Sequence, residues 1–225
     1  QADVSKIKDV QHVVDVAKKE FGEIHGLVHM AAIYEKTKWD DLDENSFDKN
    51  MNIIAKSSFL FGKILGDEML KNSGEVHPHT NLKDGLGITT TESGVASPIV
   101  NGRSNSIEKI GVGVKGKMIF FSDWSVLTRP YKDYLAYNVA KSAVVGLTKS
   151  LAKELAPNIL VNAIAPGPML RPPDLTEEEN KEVLHGTLLK RWGGAEEIVK
   201  GVCYLLEADF VTGQILTIDG GRTIA

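Results

Sequence analysis

The feature that most constrains the fold is the alternation of short apolar runs with longer amphipathic segments. The apolar runs at 24–34, 117–122 and 158–166 contain too few polar residues to alternate between two faces. Such runs are typical of strands that are covered on both faces, as the strands of parallel sheets are. Strands that alternate with helices are typical of an α/β fold. The sequence therefore predicts a parallel sheet with helices on both faces.

The amphipathic segments have the periodicity of helices. In 9–21 the apolar side chains at 10, 13, 14, 17 and 21 form one stripe, and Gly22 follows as a stop. The same reasoning predicts further helices and a last strand, at 46–71, 137–155, 176–186, 195–207 and 213–221. No internal repeat or second domain is visible, so residues 1–225 are expected to form a single domain.

Composition excludes several classes of protein. The net charge is −4 and the pI is about 5.9, which leaves no basic surplus for gripping nucleic acid. No apolar run approaches the roughly 20 residues of a membrane helix, and no signal peptide is visible. The single cysteine, Cys203, excludes an intramolecular disulfide and fits a reducing compartment. A cytoplasmic protein that binds neither nucleic acid nor membranes is expected.

Residues 72–116 break the alternation, because they are rich in Gly, Ser, Thr and Asn and have no sustained period. A loop of this length is uncommon in a compact domain, so it is interpreted as an insertion with a function of its own or as a mobile segment. His77 and His79 lie in it without an evident third ligand, and no metal site is predicted.

The stretch "GVGVKGK" has the glycine spacing of a dinucleotide-phosphate cradle at Gly111, Gly113 and Gly116. That cradle requires a strand before the glycines and a helix after them, so that the helix N-terminus faces the phosphates. Here the glycines follow a polar loop and precede an apolar run. A loop is therefore favoured over a phosphate site.

Tyr137 and Lys141 are four residues apart at the start of a predicted helix, so their side chains share a face. A nearby ammonium favours the phenolate, and we expect Lys141 to lower the pKa of Tyr137 toward the range of acid–base catalysis. The lysine is also able to bond a sugar hydroxyl. Tyr34 and Lys38 have the same spacing, but they enter a charged loop and are interpreted as solvated surface.

The chain from Lys117 to its C-terminus resembles the short-chain dehydrogenase/reductase family, and the similarity continues back to Gln1. It is carried by the Tyr-x-x-x-Lys helix after a strand, by Pro166-Gly167 after "ILVNAIA", and by the closing "FVTGQILTIDGGR". Several motifs in the family's order are far more specific than any one of them.

The resemblance implies a Rossmann-like, doubly wound parallel sheet in three layers and an NAD or NADP cofactor. It implies that Tyr137 is the acid/base, that Lys141 binds the nicotinamide ribose, and that Asn52 supports a proton-relay water. The cofactor contacts that it implies are Asp3, Val4, Ala31, Ala32, Lys141, Pro166 and Gly167. It also implies a homodimer or homotetramer through the helices at 46–71 and 137–155 and the C-terminal segment.

The third catalytic position departs from the family pattern. Where most members have a serine, an ungapped reading places Asp123, which is similar to the pteridine-reductase branch, where the carboxylate joins the proton relay. The alternative is that Ser122 or Ser125 orients the substrate carbonyl.

The family's asparagine-containing strand end is replaced by His29-Met30-Ala31-Ala32, in which His29 either substitutes for the asparagine or, as we favour, is a buried structural residue. Arg171 stands where a threonine is common, and it either reaches a phosphate or an acidic substrate or lies on the surface.

The family's glycine cradle lies after its first strand, whereas Gln1 aligns near the end of the third. The first two strand–helix units therefore have no counterpart here, and the strand at 26–32 is expected to expose an apolar edge. In the family, the residue that selects NAD or NADP lies in these first two strand–helix units, so the sequence does not show which cofactor is used. The chain is interpreted as naturally truncated or as part of a longer protein.

Two functions follow from these observations. The first is an NAD(P)-dependent oxidoreductase that reduces a carbonyl or imine, or oxidises an alcohol, with Tyr137 as acid/base. The alternative is a non-catalytic scaffold or oligomer subunit of the same fold that has lost cofactor binding. The substrate is not readable from the sequence, because a fold does not fix it.

Overall fold

The computed structural model describes residues 2–73 and 113–225. Its strands form one parallel sheet in the order β1-β2-β3-β4. They are β1 (Gly26–His29), β2 (Gly116–Phe121), β3 (Ile159–Pro166) and β4 (Ile215–Ile218). Because every pairing is parallel, the carboxyl ends of all four strands meet at one edge of the sheet.

The helices lie in the segments where the sequence predicts them. They are α1 (Ile7–Phe21), α2 (Glu44–Asn50), α3 (Ser57–Met69), α4 (Leu135–Leu155), α5 (Glu177–His185) and α6 (Ala195–Glu207). A π-helical turn, Met51–Lys56, joins α2 to α3, so the predicted helix at 46–71 is continuous but irregular. Gly22 ends α1 with a φ of 78°, a backbone conformation that favours glycine.

Two hydrophobic clusters, one on each face of the sheet, show the three-layer arrangement. Met118 and Phe120 of β2 pack with α3 and α4 on one face. Ile119 and Phe121, which alternate with them, pack with Leu205 of α6 on the other. All six residues of β2 are buried, as the sequence predicts for a strand covered on both faces.

The prediction of burial on both faces is wrong for β1. Leu27 and His29 are buried, but Val28 is 41 % exposed. Val28 lies beside Ile119 on the face that α6 covers, and no described element extends over it. Within residues 2–73 and 113–225, β1 pairs with β2 alone, so its other edge is open, as expected.

The apolar stripe predicted for α1 is only partly buried. Val10 and Val14 are in the core, whereas Val13 is 38 % and Phe21 is 84 % exposed. The helix packs against α3 through one narrow side, and the remainder of its stripe has no described neighbour that covers it.

Most of the predicted insertion, with His77, His79 and Gly111, lies outside the described residues. Gly116 is the first residue of β2, so the described end of the glycine motif precedes a strand rather than following one. That order is the opposite of a phosphate cradle. In the described part of the chain, no helix is long and apolar enough to cross a membrane.

Candidate active site

A cleft of about 500 Å³ opens at the carboxyl edge of the sheet. Reactive groups of open α/β sheets gather at this edge, because loops leave the strands there and the strands hold their positions. The residues that line the cleft include Tyr34, Ser122, Asp123, Trp124, Tyr131, Tyr137, Lys141, Pro166, Gly167, Trp192 and Arg222. Of the residues that the sequence analysis singled out for a site, the structure brings Tyr137, Lys141, Asp123, Pro166 and Gly167 together in this cleft.

Tyr137 and Asp123 form the central hydrogen bond of the cleft. Tyr137 lies in the first turn of α4, is 6 % exposed, and donates its hydroxyl proton to Asp123 Oδ2 over 2.7 Å. Asp123 follows β2, and its other oxygen, Oδ1, accepts the backbone N–H of Ser125 over 2.8 Å. This Asx-type turn fixes the carboxylate where the loop leaves the strand.

Lys141 lies one helical turn beyond Tyr137, on the same face of α4, as its spacing predicts. It is 5 % exposed, and its Nζ lies 5.8 Å from the centre of the Tyr137 ring. The Nζ donates to the carbonyl oxygen of Phe121 over 2.8 Å. An ammonium has three N–H donors. Two of them have no hydrogen-bond acceptor among residues 2–73 and 113–225, so they are available to a bound molecule.

The expectation that Lys141 lowers the pKa of Tyr137 is wrong. Burial raises the pKa of Tyr137 above its ordinary value, and the charge of Asp123 and the hydrogen bond to it raise it further. Burial also lowers the pKa of Lys141 to about 8, although the charge of Asp123 opposes this shift. A lysine with a lowered pKa is less fully charged and therefore stabilises the Tyr137 phenolate less. At neutral pH, Tyr137 is therefore a protonated phenol, which is the form of a proton donor.

The two serines that were weighed against Asp123 lie close by but make other contacts. The Ser122 hydroxyl lies at the cleft wall and donates to the backbone oxygen of Lys141 over 3.0 Å. Ser125 is fully buried, and its hydroxyl has no partner among the described residues. Asp123 is the one of these three whose side chain contacts the Tyr137 hydroxyl.

Tyr34 is 57 % exposed, as the sequence suggested, but one side of its ring also borders the cleft. Its ring is stacked on Tyr134 at 4.5 Å and meets the Tyr137 ring edge-on at 5.0 Å. On the adjacent wall, the Trp124 Nε1 donates to the Tyr131 hydroxyl over 2.7 Å. Tyr34 and Tyr134 thus pack against the Tyr137 ring, and the spacing did not reveal the contact with Tyr34, because Tyr34 lies in a distant segment of the chain.

Asn52 lies in the π-helical turn, where its carbonyl accepts the backbone N–H of Ser57. Its side chain makes no hydrogen bond within the described residues, and it is not among the residues that line the cleft. Single π-turns are frequent at functional sites. The relay role of Asn52 stays a prediction.

His29 has the contacts of a structural residue. It is 6 % exposed, its Nε2 is 2.9 Å from the Ser57 hydroxyl, and its ring packs against Phe61 at 4.9 Å. Burial lowers the pKa of His29 to about 4, with a further contribution from the charge of Lys141. The ring is therefore neutral at physiological pH.

The predicted cofactor contacts are only partly brought together. Pro166 and Gly167 line the cleft, and the Gly167 N–H donates to Ile218 over 2.8 Å. Ala31 and Ala32 follow β1 but do not line the cleft.

Asp3 and Val4 precede α1, away from the cleft lining. Asp3 Oδ1 accepts the Ser5 N–H over 3.0 Å, and hydrogen bonds from Ser5 lower the pKa of Asp3. Arg171 pairs with Glu177 at 2.6 Å on the surface, which supports the surface alternative. No described group of three or more His, Cys, Asp or Glu side chains is arranged to hold a metal ion.

The sequence profile described as Enoyl-(Acyl carrier protein) reductase matches residues 1–83 and 109–223. The 3-oxoacyl-[acyl-carrier-protein] reductase of Bos taurus is 30 % identical over 223 residues, which are 97 % of this chain and 75 % of that protein. The dihydromonapterin reductase of Citrobacter koseri is 38 % identical over 105 residues, 47 % of this chain and 43 % of that protein.

Solved structures share the fold over nearly the whole chain. A short-chain dehydrogenase/reductase of Serratia marcescens superimposes with a TM-score of 0.74 at 25 % identity, covering 99 % of this chain and 75 % of that one. A short-chain dehydrogenase/reductase of the glucose/ribitol dehydrogenase type from Brucella melitensis superimposes with a TM-score of 0.73 at 22 % identity, covering 100 % of this chain and 74 % of that one. Since the profile covers most of the chain and the bovine reductase is 30 % identical over 75 % of its own length, this chain belongs to the short-chain dehydrogenase/reductase family of NAD(P)-dependent oxidoreductases.

Proposed function

We propose that this chain reduces a C=O or C=N group of a small molecule, with Tyr137 as the proton donor. The observation that carries the proposal is the protonated Tyr137 hydroxyl, held by Asp123 at 2.7 Å inside the cleft. When bound, NADH or NADPH supplies the hydride. The residues of this chain then have to bind the nucleotide, orient the substrate and deliver the proton.

The residues present fit the nicotinamide-ribose end of such a nucleotide. The buried Lys141 ammonium keeps two N–H donors for ribose hydroxyls, and Pro166 and Gly167 border the cleft beside it. Asp3, Val4, Ala31 and Ala32 remain proposed contacts for the rest of the nucleotide. In the described part of the chain, no glycine-rich turn joins a strand directly to an α-helix, so a pyrophosphate cradle is not among the described elements.

The proton moves from the Tyr137 oxygen to the oxygen or nitrogen of the substrate, as the adjacent carbon accepts the hydride. This step leaves a phenolate, which is stabilised by the positive charge of Lys141, whose Nζ lies 5.8 Å from the centre of the Tyr137 ring. Asp123 holds the phenol in position before the transfer, and being only partly buried, it passes a proton from water back to the phenolate. In this proposal, Asn52 supports a water of the same relay.

The test of this proposal compares Asp123→Asn with Ser122→Ala. The assay follows NADPH and NADH oxidation with a 3-oxoacyl thioester and a dihydropterin, the two classes that the relatives' names suggest. Asp123→Asn is expected to lower kcat about a hundredfold, the lower end of the range for acid–base groups. Ser122→Ala is expected to stay within about threefold of the wild type, since the Ser122 hydroxyl bonds only backbone. A large loss in Ser122→Ala with none in Asp123→Asn contradicts the assignment.

We also propose that the chain forms a homo-oligomer through α3 and α4. Phe59 of α3 is 48 % exposed and Val139 of α4 is 40 % exposed, and Val139 lines a surface cleft together with Trp39, which is 75 % exposed. Apolar groups exposed together on adjacent elements favour an interface. Light scattering after size exclusion is expected to give a multiple of 24.5 kDa, and Val139→Asp is expected to reduce it. A monomeric mass for the wild type contradicts this proposal.

A further inference from the structure

Arg222 lies on the wall of the cleft and has no acidic partner in the described part of the chain. It belongs to the turn Arg222–Ile224 that follows β4, and its side chain is half-buried. Arg171 and Arg191 pair with glutamates at the surface, Glu177 and Glu197. The Arg222 guanidinium thus brings a positive charge into the cleft that no described carboxylate neutralises.

One nitrogen of the Arg222 guanidinium is already used in hydrogen bonds within the protein. Its Nη1 donates to the carbonyl of Val183 over 2.6 Å and to the Thr187 hydroxyl over 3.3 Å. Its guanidinium carbon lies 4.9 Å from the centre of the Trp124 ring, in a cation–π contact. These contacts fix the plane of the guanidinium without using its Nη2 and Nε donors.

The donors that remain suit a planar anion. The described residues provide no acceptor for Arg222 Nη2 or Nε. These two nitrogens form the edge of the guanidinium that binds a carboxylate through two parallel hydrogen bonds. The one acidic side chain that lines the cleft near Tyr137, Asp123, is engaged by Tyr137 and by the Ser125 N–H.

We propose that Arg222 is a specificity-determining residue that binds a carboxylate on the substrate, whose unsaturated body packs against the rings of Tyr34 and Tyr131 in the cleft. The inference rests on the proposed function of this cleft. It assigns the substrate to the class of carbonyl or imine compounds that carry an anionic group. The charge-assisted contact fixes one end of the substrate, so that its reducible bond is oriented toward Tyr137.

Two other roles for Arg222 make different predictions. If it only holds α5 through the Val183 carbonyl, its loss weakens binding of charged and neutral ligands alike. If it binds a phosphate of the nucleotide, its loss weakens NADPH or NADH binding and leaves the preference for a carboxylate unchanged.

The test measures calorimetric dissociation constants for 4-formylbenzoate and its neutral methyl ester, a pair of aromatic aldehydes that differ in one negative charge. The wild type is expected to bind the acid at least about tenfold more tightly than the ester, the lower end of what a charge-assisted hydrogen bond contributes. Arg222→Met is expected to bind both equally, with its ester affinity and its NADPH affinity unchanged.

Arg129→Met is the matched control, because Arg129 lies over the same Trp124 ring at 5.8 Å but is exposed and does not line the cleft. Its Nη2 donates to the backbone carbonyl of Arg222 over 3.2 Å and makes no contact with the Arg222 guanidinium donors. It is expected to keep the tenfold preference. Should Arg222→Met fail to fold, Arg222→Gln removes the charge and keeps an N–H donor for Val183. The proposal would be overturned if the wild type bound acid and ester equally. It would also be overturned if Arg222→Met lost the same affinity for both ligands, or lost affinity for NADPH alone. Tyr137→Phe separates this inference from the proposed function, since it keeps the preference for the acid while losing reduction.

Discussion

Replacing Tyr137 by phenylalanine is expected to lower kcat about a thousandfold, which is within the range for loss of a general acid. The substitution removes the hydroxyl that donates to Asp123 over 2.7 Å and keeps the ring that packs against Tyr34. NADPH affinity, measured by fluorescence titration, is expected to change less than about threefold, because the proposed ribose contact belongs to Lys141. The melting temperature serves as a check that the fold is retained.

Tyr34→Phe is the matched control for this prediction. Tyr34 lines the same cleft and precedes Lys38 at the same spacing, but its hydroxyl does not contact Asp123. Its kcat is expected to remain within about fivefold of the wild type. If Tyr137→Phe retained wild-type turnover, or if both variants lost activity equally, Tyr137 would not be the proton donor.

Replacing Lys117 by methionine is expected to have the largest effect on stability. Lys117 is 2 % exposed within β2, and its Nζ donates to the carbonyls of Leu206 and Ala208 and to Asp209 Oδ1, at 2.7, 3.1 and 2.7 Å. The carbonyl oxygens at the end of α6 have no helical partners, and the ammonium satisfies them.

Methionine matches the length of the lysine stem and leaves those carbonyls unpaired. The expected loss is about 3 kcal/mol in the free energy of unfolding, since unsatisfied buried acceptors cost about 1–3 kcal/mol each. For a chain of this size that corresponds to roughly 10 °C in melting temperature. Lys115→Met is the control, because Lys115 donates to the Leu70 carbonyl over 2.8 Å at an exposed position, and its loss is expected to cost less than about 1 kcal/mol. Equal changes in melting temperature for the two variants would contradict this account of Lys117.

The order of strands and helices was predictable because each element carries its own periodicity. The runs that became β2 and β3 are apolar on both faces, and both strands are buried as predicted. The same local pattern at β1 led to a wrong prediction for Val28, since burial depends on which elements surround a strand. The sequence around Val28 shows that the residue is hydrophobic, but it does not show which elements pack against it.

The candidate site was predictable where one helix holds two of its residues. The spacing of Tyr137 and Lys141 was enough to place both on one face of α4. The sign of the Tyr137 pKa shift was not predictable, because it depends on burial and on Asp123, which reaches Tyr137 from the end of a different element. Arg222 and Tyr34 come from distant segments, and no spacing in the sequence links them to the cleft.

The protonation state of Tyr137 tests the central claim most directly. In protein carrying ¹³C at the ring Cζ of its five tyrosines, the signal lost in Tyr137→Phe identifies Tyr137. Burial and Asp123 hold its pKa above the ordinary tyrosine value, so its signal is expected to stay at the phenol position up to at least pH 10.5 or so. In Asp123→Asn it is expected to titrate at lower pH, because the nearby negative charge is gone. A Tyr137 signal that moves to the phenolate position near pH 8 in the wild type would contradict the account. It would show instead that the charge of Lys141 sets the pKa of Tyr137.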